Sequence, residues 1–110
     1  MNEITEEEVD AFFADVVNYD EDPLAPINPL TYKTPEGDSC LHIAAARGNE
    51  RVANYLIDRG LDVNSVGDMG STPLHYAYMF GTVDVQNLLI RRGARSDVRN
   101  EFGLVPGDSK

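Results

Sequence analysis

Two histidines and one cysteine are the side chains in this sequence whose chemistry could support metal binding or nucleophilic catalysis. His42 and His75 lie 33 residues apart, and Cys40 precedes the first of them by two residues. Two imidazoles could ligate a metal ion, and a thiol near the start of a helix can have a lowered pKa. The sequence has no paired cysteines, no glycine-rich phosphate loop and no histidine with an accompanying acid that would complete such a site. We therefore predict no catalytic, cofactor or metal site and no enzyme activity.

The spacing of the two histidines belongs to a pattern that recurs through the middle of the chain. A third start of the same pattern is indicated by Gly103 and by Pro106, which lies 33 residues after Pro73. A fixed period of this length indicates stacked structural units, each of which buries its apolar side chains against its neighbours. The first copy contains Gly37, Ser39, Leu41, His42, Ala44, Gly48, Val52, Leu56 and Gly60, which recur as Gly70, Thr72, Leu74, His75, Ala77, Gly81, Val85, Leu89 and Gly93.

The second unit begins Thr72-Pro73-Leu74-His75, and this start, at this period, resembles the ankyrin repeat. The resemblance covers residues 30–106. It implies an all-α fold, a short solenoid of helix-turn-helix units joined by β-turn fingers. It also implies that each histidine steadies the adjoining loop through its ring nitrogens. Cys40, which stands where the family has proline, is then expected to be a small buried residue.

We predict that residues 1–110 form a single domain, and local signals in the sequence divide it into segments. Thr5 and Glu8 form a capping-box pattern ahead of an apolar stripe, which predicts an N-terminal amphipathic helix that caps the solenoid. The prolines that follow disfavour helix and predict an extended connection. The predicted segments are a capping helix over 5–19, a proline-rich connection over 20–36, repeats over 37–69 and 70–102, and a truncated third repeat over 103–110. Within the repeats we predict inner helices over 40–47 and 73–80 and outer helices over 50–59 and 83–92.

Charge is concentrated at the front of the chain. Residues 1–22 hold nine of the 19 acidic residues and none of the nine basic residues, and the formal net charge of the whole chain is −10. This distribution argues against nucleic-acid binding, because contacts with phosphates need lysine and arginine. It permits a basic protein partner that is attracted over long range. A simply solvated acidic helix face would explain the same charges.

Cysteine usage and hydropathy predict the compartment. The single cysteine cannot form an internal disulfide, and the acidic first ten residues do not resemble a signal peptide. No apolar run approaches the length of about 20 residues that a membrane-spanning helix needs. We therefore expect an intracellular, cytoplasmic protein without a membrane partner.

The resemblance also implies where partners bind, because ankyrin proteins use their finger tips and the exposed side of their inner helices. Aromatic and methionine side chains at these positions suit the centre of an interface. Alternatively, Tyr76 and Tyr78 fill space beside the truncated third repeat. The predicted partner-binding surface comprises Lys33, Glu36, Asp38, Ala46 and Arg47 on the first repeat, and Met69, Ser71, Tyr78, Met79, Phe80 and Phe102 on the second.

These observations predict a module for protein–protein interaction. Its most concrete form is an acidic inhibitor or immunity-type protein that neutralises a basic enzyme or toxin. The alternative is an adaptor or assembly subunit of a larger complex. Because no capping helix follows the second repeat, its far side is expected to expose apolar surface. That exposure predicts either homo-oligomer formation through the C-terminal end or a partner that covers it.

Overall fold

Two stacked helix pairs form the centre of the protein. The computed structural model describes residues 3–108, and within that range it is helical with no strand longer than an isolated bridge between Lys33 and Ser39. The helices are α1 (Glu6–Phe12), α2 (Cys40–Arg47), α3 (Glu50–Asp58), α4 (Pro73–Met79) and α5 (Val83–Arg91), with a 3-10 turn at Asp68–Gly70. Helix α2 packs against α3 and α4 packs against α5, and the two pairs stack through α2 on α4 and α3 on α5. The all-α ankyrin-like architecture predicted from the sequence is confirmed.

Reciprocal capping fixes where the two inner helices begin. The Ser39 hydroxyl accepts from the backbone N–H of His42, and the His42 ring accepts from the backbone N–H of Ser39. Thr72 and His75 repeat the arrangement at the start of α4, where Pro73 also fits because the first turn needs no N–H donor there. Gly48 ends α2 in the left-handed conformation, with φ of 77°. The prediction of residues 40–47 for the first inner helix is therefore confirmed, while α3, α4 and α5 each end one residue earlier than predicted.

The N-terminal helix is much shorter than the predicted 5–19. Thr5 caps it as expected by accepting from the Glu8 N–H, but the regular helix ends at Phe12. Arg47 donates to the Phe12 carbonyl at 2.9 Å, and a tighter turn continues the chain, in which the Val16 N–H donates to the Phe13 carbonyl. Arg47 thus bonds to a carbonyl that a longer helix would have paired with the Val16 N–H.

Matched leucines form the centre of the core. Leu41 and Leu56 of the first repeat, and Leu74 and Leu89 of the second, are completely buried. Burying one such side chain contributes about 1.5–3 kcal/mol relative to leaving it exposed. The same buried cluster includes Val9 and Phe13 from the N-terminal segment, together with Ile27, Tyr32, Cys40, Ala44, Ala45, Val52, Ala53, Ala77, Val85 and Leu88. The N-terminal segment is therefore packed onto the core of the repeats.

The start of the third repeat contains no helix within the described residues. Pro106 is buried, and a turn follows in which the Asp108 N–H donates to the Val105 carbonyl at 3.0 Å. Met79 and Phe80, at the end of α4, remain largely exposed. Both side chains line a groove beside the inner helices.

Candidate protein-binding groove

A groove runs between the inner helices α2 and α4 and the tips of three fingers. The first finger is residues 33–38, the second is residues 66–71 and the third is residues 99–104, and each is closed by a backbone hydrogen bond across its turn. Its most exposed side chains are apolar, with exposed fractions of 66% for Met79, 59% for Phe80, 61% for Phe102 and 49% for Met69. Side chains this large are usually buried in a monomer, so their common location makes the groove a candidate contact surface. The groove is lined by Asp38, His42, Ile43, Ala46, Arg47, Asp68, Met69, Ser71, Tyr76, Met79, Phe80, Asn100, Phe102 and Leu104.

Met69 reaches the groove from the tip of the second finger in a strained backbone conformation. Its φ of 55° is the only positive value for a non-glycine residue within residues 3–108. The left-handed region costs about 1–2 kcal/mol for a residue with a Cβ atom. The Met69 carbonyl accepts from the Glu101 N–H of the third finger at 2.9 Å, and this bond helps to hold the tip in place.

Aromatic rings in edge-to-face contact form the floor of the groove. Tyr76 meets His42 edge to face with ring centroids 5.3 Å apart, and it contacts Phe80 in a similar orientation at 6.4 Å. The Tyr76 hydroxyl donates to the Asp38 carboxylate at 2.9–3.0 Å. Burial and this carboxylate together raise the pKa of Tyr76, so its hydroxyl remains a donor throughout the physiological range.

Asp38 joins two fingers and an inner helix. Besides the Tyr76 hydroxyl, its carboxylate accepts from the backbone N–H of Asp68 at 2.8 Å. Both partners are neutral donors, and no cation pairs with Asp38 within residues 3–108. Asp38 therefore braces the fingers and keeps its negative charge at the edge of the groove.

Arg47 lies at the opposite edge of the groove, where its charge is neutralised by the N-terminal segment. Its guanidinium donates twice to the Asp15 carboxylate, at 3.0 Å for each bond, and stacks over the Phe12 ring at 5.2 Å from the centroid. The hydrogen bond from Arg47 is the main cause that lowers the pKa of Asp15. The pair is largely solvent-exposed, so it positions the N-terminal segment more than it stabilises the fold.

The two histidines are tied into the scaffold. His42 Nε2 lies 2.9 Å from the Ser71 carbonyl, and His75 Nε2 lies 2.8 Å from the Leu104 carbonyl, each 29 residues further along the chain. Because each Nδ1 accepts from the backbone N–H of its own cap residue, Nε2 carries the proton that it donates. The role implied for the histidines, that of steadying the adjoining loops, is confirmed.

The geometry around Cys40 does not favour nucleophilic chemistry. Its side chain is completely buried, and burial raises its pKa to about 12. A thiol with so high a pKa is protonated at neutral pH and is a poor nucleophile. Among the residues that the structure describes, no three His, Cys, Asp or Glu side chains converge as a metal-binding group.

Comparison with known proteins decides the family. A family model described as ankyrin repeats in three copies matches residues 14–100. The chain belongs to the ankyrin-repeat family. The ankyrin match begins at residue 14, within the segment predicted to be the cap and connection.

Several ankyrin-repeat relatives show how widely this module is distributed. The E3 ubiquitin-protein ligase hecd-1 of Caenorhabditis elegans is 45% identical over 72 residues, which are 66% of this chain and 3% of that protein. Protein phosphatase 1 regulatory subunit 27 of Homo sapiens is 36% identical over 74 residues, 67% of this chain and 48% of that protein. Protein fem-1 homolog A-like of Mus musculus is 34% identical over 70 residues, 64% of this chain and 11% of that protein. The chain thus spans less than half the length of each of these relatives. As an ankyrin-repeat chain, it is a protein–protein interaction module.

The ankyrin-repeat groove contains most of the predicted partner-binding residues but excludes some of them. Ser71 lines it but is buried, so only a small part of this residue is accessible. Tyr78 points away from the groove and lies beside Val105 and Gly107. Lys33 and Glu36 are exposed on the first finger but do not line the groove. The predicted residues that do line it are Asp38, Ala46, Arg47, Met69, Ser71, Met79, Phe80 and Phe102.

Sequence reasoning missed Tyr76 as part of the groove floor. From the sequence we predict Tyr78, but not Tyr76, on the partner-binding surface, and the alternative gives both residues one space-filling role. Residues two apart on a helix face different directions, so the two tyrosines have different surroundings. Tyr76 turns back toward Asp38 of the first repeat, whereas Tyr78 faces the start of the third. A usable signal was present, because Tyr76, Met79 and Phe80 lie three and four residues apart, and Ile43 lies 33 residues before Tyr76.

The structure also bears on the membrane prediction. None of the helices within residues 3–108 has the length and apolar character required to cross a bilayer.

Proposed function

We propose that the protein binds a segment of a partner protein in the groove and so serves as an adaptor or assembly subunit. The observation that carries this proposal is the gathering of Met69, Met79, Phe80 and Phe102, all about half exposed or more, along one groove. Because the core of the repeats is fully buried without them, these four side chains contribute little to folding.

The groove suits a partner whose own apolar side chain fills it. Phenylalanine and methionine are enriched at interface centres, where a few buried anchors supply most of the binding free energy. Methionine is also flexible enough to adapt to different partner shapes. The aromatic floor of Tyr76 and His42 is held rigidly by hydrogen bonds, so only the flexible rim needs to adjust on binding.

The test compares Phe80→Ala with Leu24→Ala, which removes a side chain that is 94% exposed and lies outside the groove. Partners that the wild-type protein captures from its host are identified by mass spectrometry, and their affinities are measured by calorimetry. We expect Phe80→Ala to weaken binding by about 1–4 kcal/mol and Leu24→Ala to leave it unchanged. Equal affinities for both variants, with both folded, would disprove the role of the groove.

A second candidate is an inhibitor or immunity-type protein that neutralises a basic enzyme or toxin. It is favoured by the net charge of −10 and by the exposed carboxylates of Glu6, Glu7 and Asp10 on α1. The name of the phosphatase regulatory subunit among the relatives is also compatible with control of an enzyme. This candidate requires affinity to fall as salt is added, because screening weakens attraction between exposed charges. Salt-independent binding would exclude this candidate.

We further propose that the protein self-associates and that it is cytoplasmic. Val83 and Ile90, exposed on one face of α5, support self-association as a homo-oligomer. A cytoplasmic location is supported by the lone, buried thiol of Cys40, because a reducing compartment leaves such a thiol free.

A further inference from the structure

Charge is distributed unevenly across the groove. Its lining contains two carboxylates, Asp38 and Asp68, on the finger edge and one guanidinium, Arg47, on the helix edge. Arg47 already forms two bonds with the Asp15 carboxylate. Asp15 cancels the only positive charge of the lining, so the two carboxylates set the electrostatic character of the groove.

The two carboxylates remain without a counter-ion. Among the described residues 3–108, the Asp38 carboxylate accepts from the Tyr76 hydroxyl and from the Asp68 N–H and pairs with no cation. The Asp68 side chain takes part in no hydrogen bond or ion pair within residues 3–108. Lys33 and Glu36, the other charged residues of the first finger, carry charges opposite to each other and do not line the groove. A cation that docks at the finger edge would therefore meet two uncompensated negative charges.

Apolar and acidic surface lie next to each other at this edge. Met69, which follows Asp68 directly, places its exposed side chain in the same groove as Phe80 and Phe102. We infer that the groove selects a peptide segment in which an apolar anchor residue is accompanied by lysine or arginine, the anchor packing on these side chains and the cation facing Asp38 and Asp68. This inference rests on the proposed function, and it specifies the chemistry of the partner at the same site.

Peptide selection tests the inference without knowledge of the natural partner. A display library of random linear peptides is panned against the wild-type protein and against two variants that make the same charge change, Asp68→Lys in the groove and Glu21→Lys on an exposed loop outside it. Circular dichroism and urea unfolding verify that both variants are folded. If Asp68→Lys does not fold, the nearly isosteric Asp68→Asn replaces it.

We expect the wild-type protein and Glu21→Lys to enrich peptides that combine an aromatic or aliphatic residue with lysine or arginine. Asp68→Lys should bind those same peptides about five- to thirtyfold more weakly and should lose the enrichment of basic residues. Enriched peptides without basic residues, or equal affinities for the two lysine variants, would overturn the inference while leaving the groove as the binding site. Peptides that bind Phe80→Ala as tightly as the wild-type protein would instead overturn the proposed function together with the inference.

Discussion

His42 illustrates how one buried side chain can serve two repeats. Its Nδ1 accepts from the Ser39 N–H at the start of its own helix, while Nε2 donates to the Ser71 carbonyl at the start of the next inner helix. This pattern requires the neutral ring, since a protonated imidazole has no acceptor to offer Ser39. Burial also favours the neutral ring, and it is the main cause that lowers the pKa of His42 below its ordinary value of 6.5.

The lowered pKa predicts a specific dependence of stability on pH. The unfolded chain binds a proton at His42 more readily than the folded protein does, so this residue contributes its full stability above about pH 6.5. That contribution is lost as the pH falls through the lower pKa of the folded state. We expect the free energy of unfolding of the wild-type protein, measured with urea, to decline between about pH 7 and pH 5.

The control for this prediction is His42→Gln, which cannot titrate in this range. Its overall stability should be lower by about 1–3 kcal/mol, because two buried hydrogen bonds are disturbed. Its stability should nevertheless change less with pH than that of the wild-type protein. Parallel profiles for the two proteins would assign the pH dependence to other groups.

At the scale of single elements, prediction succeeded where local chemistry decides the boundary. Ser39 and Gly48 supply a cap and a left-handed stop, and α2 begins and ends with them. The apolar periodicity through Val16 and Val17 predicted that α1 would continue, but no local signal marks its true end. The Arg47 contact with the Phe12 carbonyl, formed by a residue 35 positions away, is a tertiary effect that no window of local sequence contains.

The turn between the inner and the outer helix of each repeat contains a glycine, and the two glycines form a matched pair. Gly48 and Gly81 occupy equivalent positions with φ of 77° and 69°, so alanine meets similar backbone strain at both. A Cβ atom at Gly48 would lie 2.9 Å from Thr82 Cγ2, whereas one at Gly81 would have no atom within 4 Å. We expect Gly81→Ala to cost about 1–2 kcal/mol in urea unfolding and Gly48→Ala to cost about 1–3 kcal/mol more.

A double variant isolates the steric part of that difference. Thr82→Ser removes the Cγ2 methyl group but keeps the hydroxyl, which donates to the Ala45 carbonyl at 2.9 Å. Combined with Gly48→Ala, it should recover most of the extra cost. If Gly48→Ala and Gly81→Ala destabilise equally, the contact with Thr82 does not constrain how the repeats stack.

At the scale of the whole molecule, the groove lies where the family resemblance predicted a partner-binding surface, between the finger tips and the inner helices. Met79, Phe80 and Phe102 line it as expected, and their role in binding stays a prediction. Helical spacing indicates that Tyr76 and Tyr78 face different directions, but the contact between Tyr76 and Asp38 depends on how the second repeat packs on the first, which the 33-residue period does not specify.

The exposed face of α5 makes self-association testable. Val83 and Ile90 are 58% and 49% exposed and lie seven residues apart, on one side of the helix. We expect sedimentation velocity to show that the average mass rises with protein concentration and that Val83→Glu suppresses the rise. Val66→Glu, at a residue 56% exposed on the second finger, provides the control. A wild-type protein that stays monomeric, or two variants that behave alike, would rule out this face.

The hydrogen bonds from the His42 and His75 rings span the same number of residues, and this has a consequence for how such a chain can lengthen. Each ring bonds to a carbonyl 29 residues ahead, which always belongs to the following unit. A tandem duplication of one 33-residue unit would present every ring with an equivalent acceptor, and no existing link would need to be redesigned. Growth by gene duplication is therefore built into the bonding pattern, and the side chains lining the groove can diversify independently of it.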